Sequence, residues 1–157
     1  MNKAFTLIEV ALIVAVISIL LSISTFNLLN FQDTATLDTT IETFISDLKQ
    51  QQLKSMSGST DGNPNANTYG IYLESHRYVL FSGASYNPSD VLNFPIAIND
   101  AIIITSTIPQ NVLFFSKGSG EVQNFSADSN TITFRHSPSN LQTTITINRY
   151  GVITLIN

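Results

Sequence analysis

The sequence predicts an α+β fold in which a long N-terminal α-helix packs on an antiparallel, β-sandwich-like globular domain. Three observations lead to this fold class. Neither proline nor glycine occurs between Phe5 and Ser57, so one helix can run through the whole segment. Gly58 to Thr68 is rich in glycine, asparagine and proline, a composition typical of a turn. Beyond Thr68, apolar and polar residues alternate in short segments, which indicates half-buried strands.

The first part of the predicted helix, Phe5 to Phe31, has the composition of a membrane-spanning segment. Val10 to Ile23 is almost entirely aliphatic, and the carboxylate of Glu9 is the only charge in the run. A helix of this length extends about 40 Å at about 1.5 Å per residue. That is enough to cross a hydrocarbon core of about 30 Å. We therefore expect residues 5–31 to form a transmembrane helix.

Residues 32–57 are predicted to form the amphipathic half of the same helix. Apolar residues recur there mostly at spacings of three and four, which places them in one stripe that requires a sheet to cover it. The polar, β-branched segment Asp33–Thr40 is the most favourable place for the helix to bend or fray. The stripe consists of Leu37, Ile41, Phe44, Ile45, Leu48, Leu53 and Met56.

The remaining residues, 58–157, are predicted to form the β-rich globular domain. Short alternating segments are separated by close turn signals, as in antiparallel sandwiches. Gly83 to Pro95 is expected to be a long polar loop. The predicted strands are Tyr69–Glu74, Arg77–Ser82, Ala101–Ile108, Val112–Phe115, Glu121–Phe125, Thr131–Arg135, Thr143–Asn148 and Val152–Ile156.

Composition and charge argue against several classes of protein. The net charge of −4 is unfavourable for binding nucleic acid, whose affinity depends largely on neutralising phosphates. The two histidines, His76 and His136, belong to no recognisable metal-ligand pair or catalytic triad, and we expect both to lie exposed in or beside turns. We predict neither an enzyme nor a cofactor.

One loop resembles the start of a calcium-binding loop. Asp61, Asn63 and Asn65 have the spacing of its first ligands, but Ala66 replaces the expected glycine and Tyr72 stands where the closing glutamate belongs. We interpret the segment as a flexible turn.

The N-terminus resembles that of type IV pilins and pseudopilins. A short leader, Met1–Ala4, ends in a small residue and is followed by the letters FTLIE and then by the aliphatic run. This resemblance implies cleavage between Ala4 and Phe5 by a prepilin peptidase, N-methylation of Phe5, and a role for Glu9 in filament assembly. Thr6 and Glu9 also match a capping box, which gives Glu9 a purely local role as well.

Two other interpretations of the N-terminus fit the apolar run less well. A cleaved secretory signal would place its basic end at Lys3 and a weak cleavage site at Ser22-Ile23-Ser24. An ordinary signal anchor would retain the whole run. Neither interpretation gives Glu9 a purpose, whereas a prepilin accounts for the leader, Glu9 and the length of the run together.

The order of later segments is similar to that of the H-type pseudopilins of type II secretion and their FimT-like minor-pilin relatives. An apolar strand leads into a glycine turn at Phe114–Gly118, and a final strand pair closes around Gly151. The resemblance implies a pilin-like fold and a minor pseudopilin or pilin that assembles with other such subunits through its N-terminal helix. It further implies a bacterial cytoplasmic membrane location, with a single span and the globular domain on the extracytoplasmic side.

The main alternative is a DNA-receptor minor pilin of a competence or type IV pilus. FimT-like receptors share a basic cluster near the C-terminus, of which Arg149 alone is present here. Ala4 also departs from the glycine that usually ends a prepilin leader, and Phe26 stands where major pilins often have proline. An N-terminally anchored enzyme is a third and more distant alternative.

Overall fold

The structure is a computed structural model that describes residues 6–60 and 68–157, with the backbone alone for residues 23–30. One long helix precedes eight short strands. The elements are α1 Leu7–Ser57, β1 Tyr69–Leu73, β2 Arg77–Ser82, β3 Phe94–Ala97, β4 Ile102–Ser106, a 3-10 turn Pro109–Asn111, β5 Val112–Phe115, β6 Thr131–His136, β7 Gln142–Ile147 and β8 Ile153–Ile156.

The predicted α+β class with antiparallel sheets is confirmed. The first sheet has the strand order β3-β2-β1-β5 and the second has the order β4-β6-β7-β8. Every pairing between neighbouring strands is antiparallel. Helix α1 packs on β1 and β5 of the first sheet and on β6 of the second, so the helix and both sheets enclose one core.

Helix α1 is continuous over 51 residues, or about 75 Å at about 1.5 Å per residue. It ends at Gly58, whose positive φ of 66° is a left-handed conformation that glycine adopts without strain. The expected fraying at Asp33–Thr40 is wrong. Threonine hydroxyls in this region, including those of Thr36 and Thr40, donate to the carbonyls four residues earlier and leave the helix unbroken.

The buried stripe of α1 follows the predicted spacing as far as Leu48. Phe44 is fully buried and makes edge-to-face contacts with Tyr78 and Phe134, each at 5.2 Å between ring centroids. Beyond Leu48 the prediction is wrong, because Leu53 and Met56 are exposed while two polar residues are buried in their place. The buried residues along this half of the helix are Leu37, Ile41, Phe44, Leu48, Gln51 and Ser55.

Polar contacts replace apolar packing at the last turns of α1. The Ser55 hydroxyl accepts a hydrogen bond from the Tyr69 backbone N–H at 2.9 Å. The Gln52 amide donates to the carbonyls of Gly120 and Tyr150, at 2.9 and 2.7 Å. These bonds join the end of the helix to three separate segments of the domain and account for the burial of Ser55. They do not account for Gln51, whose buried Oε1 has no hydrogen-bond partner among the described residues.

At two turns the backbone lies close to side chains of α1, and glycine occupies both positions. A Cβ added to Gly151 would lie 2.5 Å from the Gln52 amide nitrogen, and one added to Gly120 would lie 2.6 Å from Met56. Both glycines also have positive φ, so a side chain at either position would be strained as well as crowded.

The strand predictions contain one omission and one error. The predicted loop Gly83–Pro95 ends too late, because Phe94 and Pro95 already belong to strand β3. This strand, to which the sequence analysis assigns no element, pairs with β2 from Phe94 to Ala97 at the edge of the first sheet. The segment Glu121–Phe125 was expected to be a strand, and it makes a single bridge between Val122 and Phe115. The Asn124 side-chain amide donates to the Val112 carbonyl, so this segment follows β5 through mixed contacts rather than a regular ladder.

Candidate assembly surface

The N-terminal part of α1 exposes apolar side chains on every side of the helix. Leu7 is 89% exposed, and even the least exposed of the large apolar residues here, Ile13, is 45% exposed. A helix that is apolar all round is ordinarily buried in a core or in lipid. The exposed residues are Leu7, Ile8, Val10, Leu12, Ile13, Val14, Val16, Ile17, Ile19, Leu20 and Leu21. We call this set the apolar collar.

The predicted capping box at the start of α1, and so of the collar, is confirmed. The Thr6 hydroxyl accepts from the Glu9 backbone N–H at 3.3 Å. The Glu9 carboxylate accepts in return from the Thr6 backbone N–H at 3.4 Å. This reciprocal arrangement satisfies two of the amides that a helix start leaves without partners. It places a negative charge at the positive end of the helix dipole, where it is favourable.

Two other predicted site residues, Ala4 and Phe5, lie outside the described residues, and so does the calcium-like segment Asp61–Asn65. The proposed leader cleavage and N-methylation therefore stay predictions. Of the three residues assigned to processing and assembly, Glu9 alone falls within the structure, at the exposed tip of α1.

Taken over residues 6–60 and 68–157, without the side chains of 23–30, the structure contains no helix with an apolar stretch of the length needed to span a membrane.

The basic side chains of the domain are spread over different turns and strands. Arg77 forms a bidentate pair with Glu74 at the β1–β2 turn, at 2.7 and 3.1 Å. Arg149 lies 3.3 Å from Glu121 beside the β7–β8 turn. Since each of these arginines already has a carboxylate beside it, neither adds much to a surface that could attract phosphate.

The two histidines have different environments. His76 is exposed in the β1–β2 turn, as expected, but His136 is buried at the end of β6, so the expectation for His136 is wrong. Its Nδ1 lies 2.7 Å from the Ser139 hydroxyl and 3.7 Å from the Asp33 carboxylate on α1. His136 therefore takes part in joining the sheet to the helix.

A polar groove of about 700 Å³ opens beside the β1–β2 turn, with Glu74, His76, Arg77 and Asn111 among its lining residues. The Glu74 and Arg77 side chains are bonded to each other, so neither is poised as a separate acid or base. Within the described ranges, no three histidine, aspartate or glutamate residues lie close enough together to hold a metal ion. The collar, rather than a pocket, is thus the feature of the described surface that most requires a partner.

Comparison with protein-family models, with curated proteins and with solved structures gave no match to this chain.

Proposed function

We propose that this protein is a minor pseudopilin or minor pilin, a structural subunit that helps to start or cap a pilus-like filament. In this proposal the helix from Phe5 to Phe31 holds the subunit in the bacterial cytoplasmic membrane before assembly. The leader is removed between Ala4 and Phe5, and the collar then packs against the helices of other pilin or pseudopilin subunits.

The observation that carries the proposal is the exposure of the apolar collar. Burying a large aliphatic side chain stabilises by about 1.5–3 kcal/mol, so covering the half-exposed residues of the collar is favourable by on the order of 10 kcal/mol or more. Soluble monomers rarely leave a patch of this size in water. Lipid before assembly, and neighbouring helices after assembly, would bury these apolar side chains.

Glu9 fits this proposal because placing its carboxylate in a bilayer costs more free energy than its helix cap contributes. A carboxylate deep in a bilayer costs about 2.5–3.5 kcal/mol on insertion scales, and less near the interface. A helix cap offsets about 1 kcal/mol. A cationic partner would supply the remainder, and the amine of Phe5, exposed by cleavage, is such a partner in the same chain or in a neighbour.

The test compares Glu9→Val with Glu9→Gln in cells that produce the other subunits. Glutamine keeps the capping box but removes the charge, whereas valine removes both. We expect both variants to insert into the membrane and to lose co-purification with the other subunits at matched membrane levels. Glu42→Val, which removes an exposed acid from the domain half of α1, should co-purify as the wild type does.

Full recovery of the Glu9→Gln variant would mean that Glu9 is a helix cap and would remove the assembly role. The intact mass of the protein from its native cells tests the leader. A chain that begins at an N-methylated Phe5 is expected, whereas a chain that begins after Ser24 would identify an ordinary signal peptide and overturn the proposal.

A further inference from the structure

A groove runs along one side of the domain half of α1, between the helix and strands β2 and β3. It forms because α1 packs mainly on β1 and β5 of the first sheet and leaves the other two strands beside it. Two cavities of about 410 and 470 Å³ lie along it and share Ile96. Their lining on α1 extends from Ala35 to Lys54, or about 28 Å at about 1.5 Å per residue. We call this feature the lateral groove.

The wall that the sheet contributes to the lateral groove is apolar and partly uncovered. Phe94 on β3 is 65% exposed, and Leu92, which precedes the strand, is 44% exposed. Ile96 and Ile98 are half-buried beside them. An added strand is an unfavourable cover for this wall, because Pro95 at the edge of the sheet lacks an N–H.

The wall that α1 contributes has small side chains whose hydroxyl groups are bonded within the helix. Ala35 and four threonines line the first half of the groove, and each threonine donates to the carbonyl four residues earlier, at 2.8 or 2.9 Å. These threonines are Thr36, Thr39, Thr40 and Thr43. Small residues of this kind allow a second helix to approach closely, as at helix contacts in membranes.

The two charges that line the lateral groove each have a partner in the same chain. Asp47 accepts from the Tyr78 hydroxyl at 2.5 Å. The Lys54 ammonium lies 5.7 Å from the centroid of the Tyr69 ring. An occupant of the groove therefore needs no charge of its own, and an uncharged apolar helix matches both walls.

We propose that the lateral groove receives the apolar collar of a second copy of this chain, which lies parallel to α1. The collar, Leu7 to Leu21, is about 22 Å long at about 1.5 Å per residue, so it fits within the length of the groove. Its side chains are exposed, and none is charged after Glu9. The parallel direction follows from the proposed membrane helix. The inference thus rests on the proposed function and specifies one surface that covers the collar.

The positions of the collar and the groove on α1 determine the displacement between the two copies. Leu7 lies 28 residues before Ala35, and Leu21 lies 33 residues before Lys54. The second copy is therefore displaced along α1 by about 42–50 Å. Copies in a membrane stand at the same height, so the contact forms only after one of them has left the membrane. Each copy presents its collar to one neighbour and its groove to another, and such a heterologous contact can repeat into a filament.

Paired cysteines test this contact, because the chain contains no cysteine of its own. Two differently tagged full-length copies are produced together in cells that produce the other subunits. One copy carries Thr43→Cys in the groove, and the other carries a single cysteine at one of four collar positions that face different sides of the helix. These positions are Val10, Leu12, Ile13 and Val14. Oxidation should give mixed disulfide at the one or two positions that face the groove, since bridging requires Cα atoms within about 7 Å of each other.

Glu42→Cys is the matched control for the groove cysteine. Glu42 is exposed and adjacent to Thr43 in α1, but it does not line the groove. With the same collar cysteines we expect at least about tenfold less mixed disulfide at Glu42→Cys than at Thr43→Cys, because the separation of the Cα atoms exceeds the range of a disulfide.

Two substitutions should block the lateral groove without disturbing the core. Thr39→Trp fills it from the helix, and Phe94→Asp places an unpaired charge in its sheet wall. Both residues are exposed, and circular dichroism should show an unchanged domain. Each substitution should lower the mixed disulfide of Thr43→Cys about tenfold. Val91→Asp, at a residue that is 94% exposed and outside the groove lining, should leave it unchanged. Unchanged disulfide in both blocking variants would overturn the contact.

Co-purification of the two tags separates this inference from the proposed function. Copies that co-purify but form no more disulfide through Thr43→Cys than through Glu42→Cys would overturn the groove and leave the proposed function intact. Recovery of the other subunits without the second tag would overturn the choice of a second copy. Recovery of neither the second copy nor the other subunits would contradict both proposals.

Discussion

The two ends of helix α1 belong to one continuous element but differ in what covers them. From Leu37 to Ser55 a single stripe is buried, and the core of the domain supplies the cover. From Leu7 to Leu21 the large apolar side chains are exposed on all sides. One half is therefore stabilised within the fold, whereas the other is exposed in the single chain, and under the proposed function lipid or neighbouring subunits would cover it. The contrast shows why helical propensity alone does not reveal where a long helix finds its stability.

The largest expected effect contrasts a core residue with a collar residue. Phe44→Ala should lower the free energy of unfolding of the domain by about 3–5 kcal/mol, because it leaves a cavity among Tyr78 and Phe134. Leu12→Ala should leave domain stability within about 0.5 kcal/mol of the wild type. Denaturant unfolding of the full chain in detergent, followed by circular dichroism, gives both values. A comparable loss in the Leu12 variant would mean that the collar is coupled to the domain core.

A smaller effect tests how closely the domain approaches the end of α1. Gly151→Ala and Gly118→Ala both place alanine at a positive φ, which costs about 1–2 kcal/mol. At Gly151 the new Cβ also meets Gln52 and Phe115, whereas at Gly118 nothing lies within 4 Å. The Gly151 variant should therefore unfold at a lower denaturant concentration than the Gly118 variant. Equal midpoints would show that the contact with Gln52 relaxes freely.

A third prediction concerns a polar link between α1 and β2. The Tyr78 hydroxyl donates a hydrogen bond to the Asp47 carboxylate at 2.5 Å. Burial, and to a lesser extent this hydrogen bond, raises the pKa of Tyr78 above its ordinary value of 10.0. The folded state then holds a proton that the unfolded state releases above about pH 10. The protonated Tyr78 hydroxyl therefore contributes fully to the free energy of unfolding below that pH, and its contribution falls as the pH rises further.

Tyr78→Phe isolates this contribution, because the other tyrosines titrate equally in both proteins. The variant should be less stable by about 1–3 kcal/mol at neutral pH, and the gap should narrow above about pH 10. Unfolding curves from pH 7 to pH 11 measure the gap. A gap that does not change with pH would show that Tyr78 keeps its ordinary pKa.

The helix and most of the strands could be predicted because their signals are local. The spacing of Leu37, Ile41, Phe44 and Leu48 defines one face of a helix without reference to the rest of the chain, and Thr6 with Glu9 defines its start. Glycine and asparagine mark most of the turns between strands. These features need no knowledge of the partner segment.

The features that were missed depend on distant segments. Strand β3 is four residues long and contains Pro95, so it exists through pairing with β2. Gln52 and Ser55 are polar, and their contacts with Gly120, Tyr150 and Tyr69 lie far away in sequence. The contact between His136 and Asp33 likewise joins a strand end to a helix more than 100 residues earlier. No period in a sequence encodes such contacts.

Accessibility of the two halves of α1 tests the central claim most directly. Leu12→Cys and Ile17→Cys lie in the collar, and Glu42→Cys lies on the exposed side of the domain half. Intact membranes or filaments are treated with a membrane-impermeant maleimide, and labelling is compared with that of detergent-solubilised, unfolded protein. We predict that Glu42→Cys reacts fully, whereas the two collar cysteines react only after solubilisation. Labelling of Leu12→Cys and Ile17→Cys at the rate of Glu42→Cys would show that the collar faces water, and it would contradict this account.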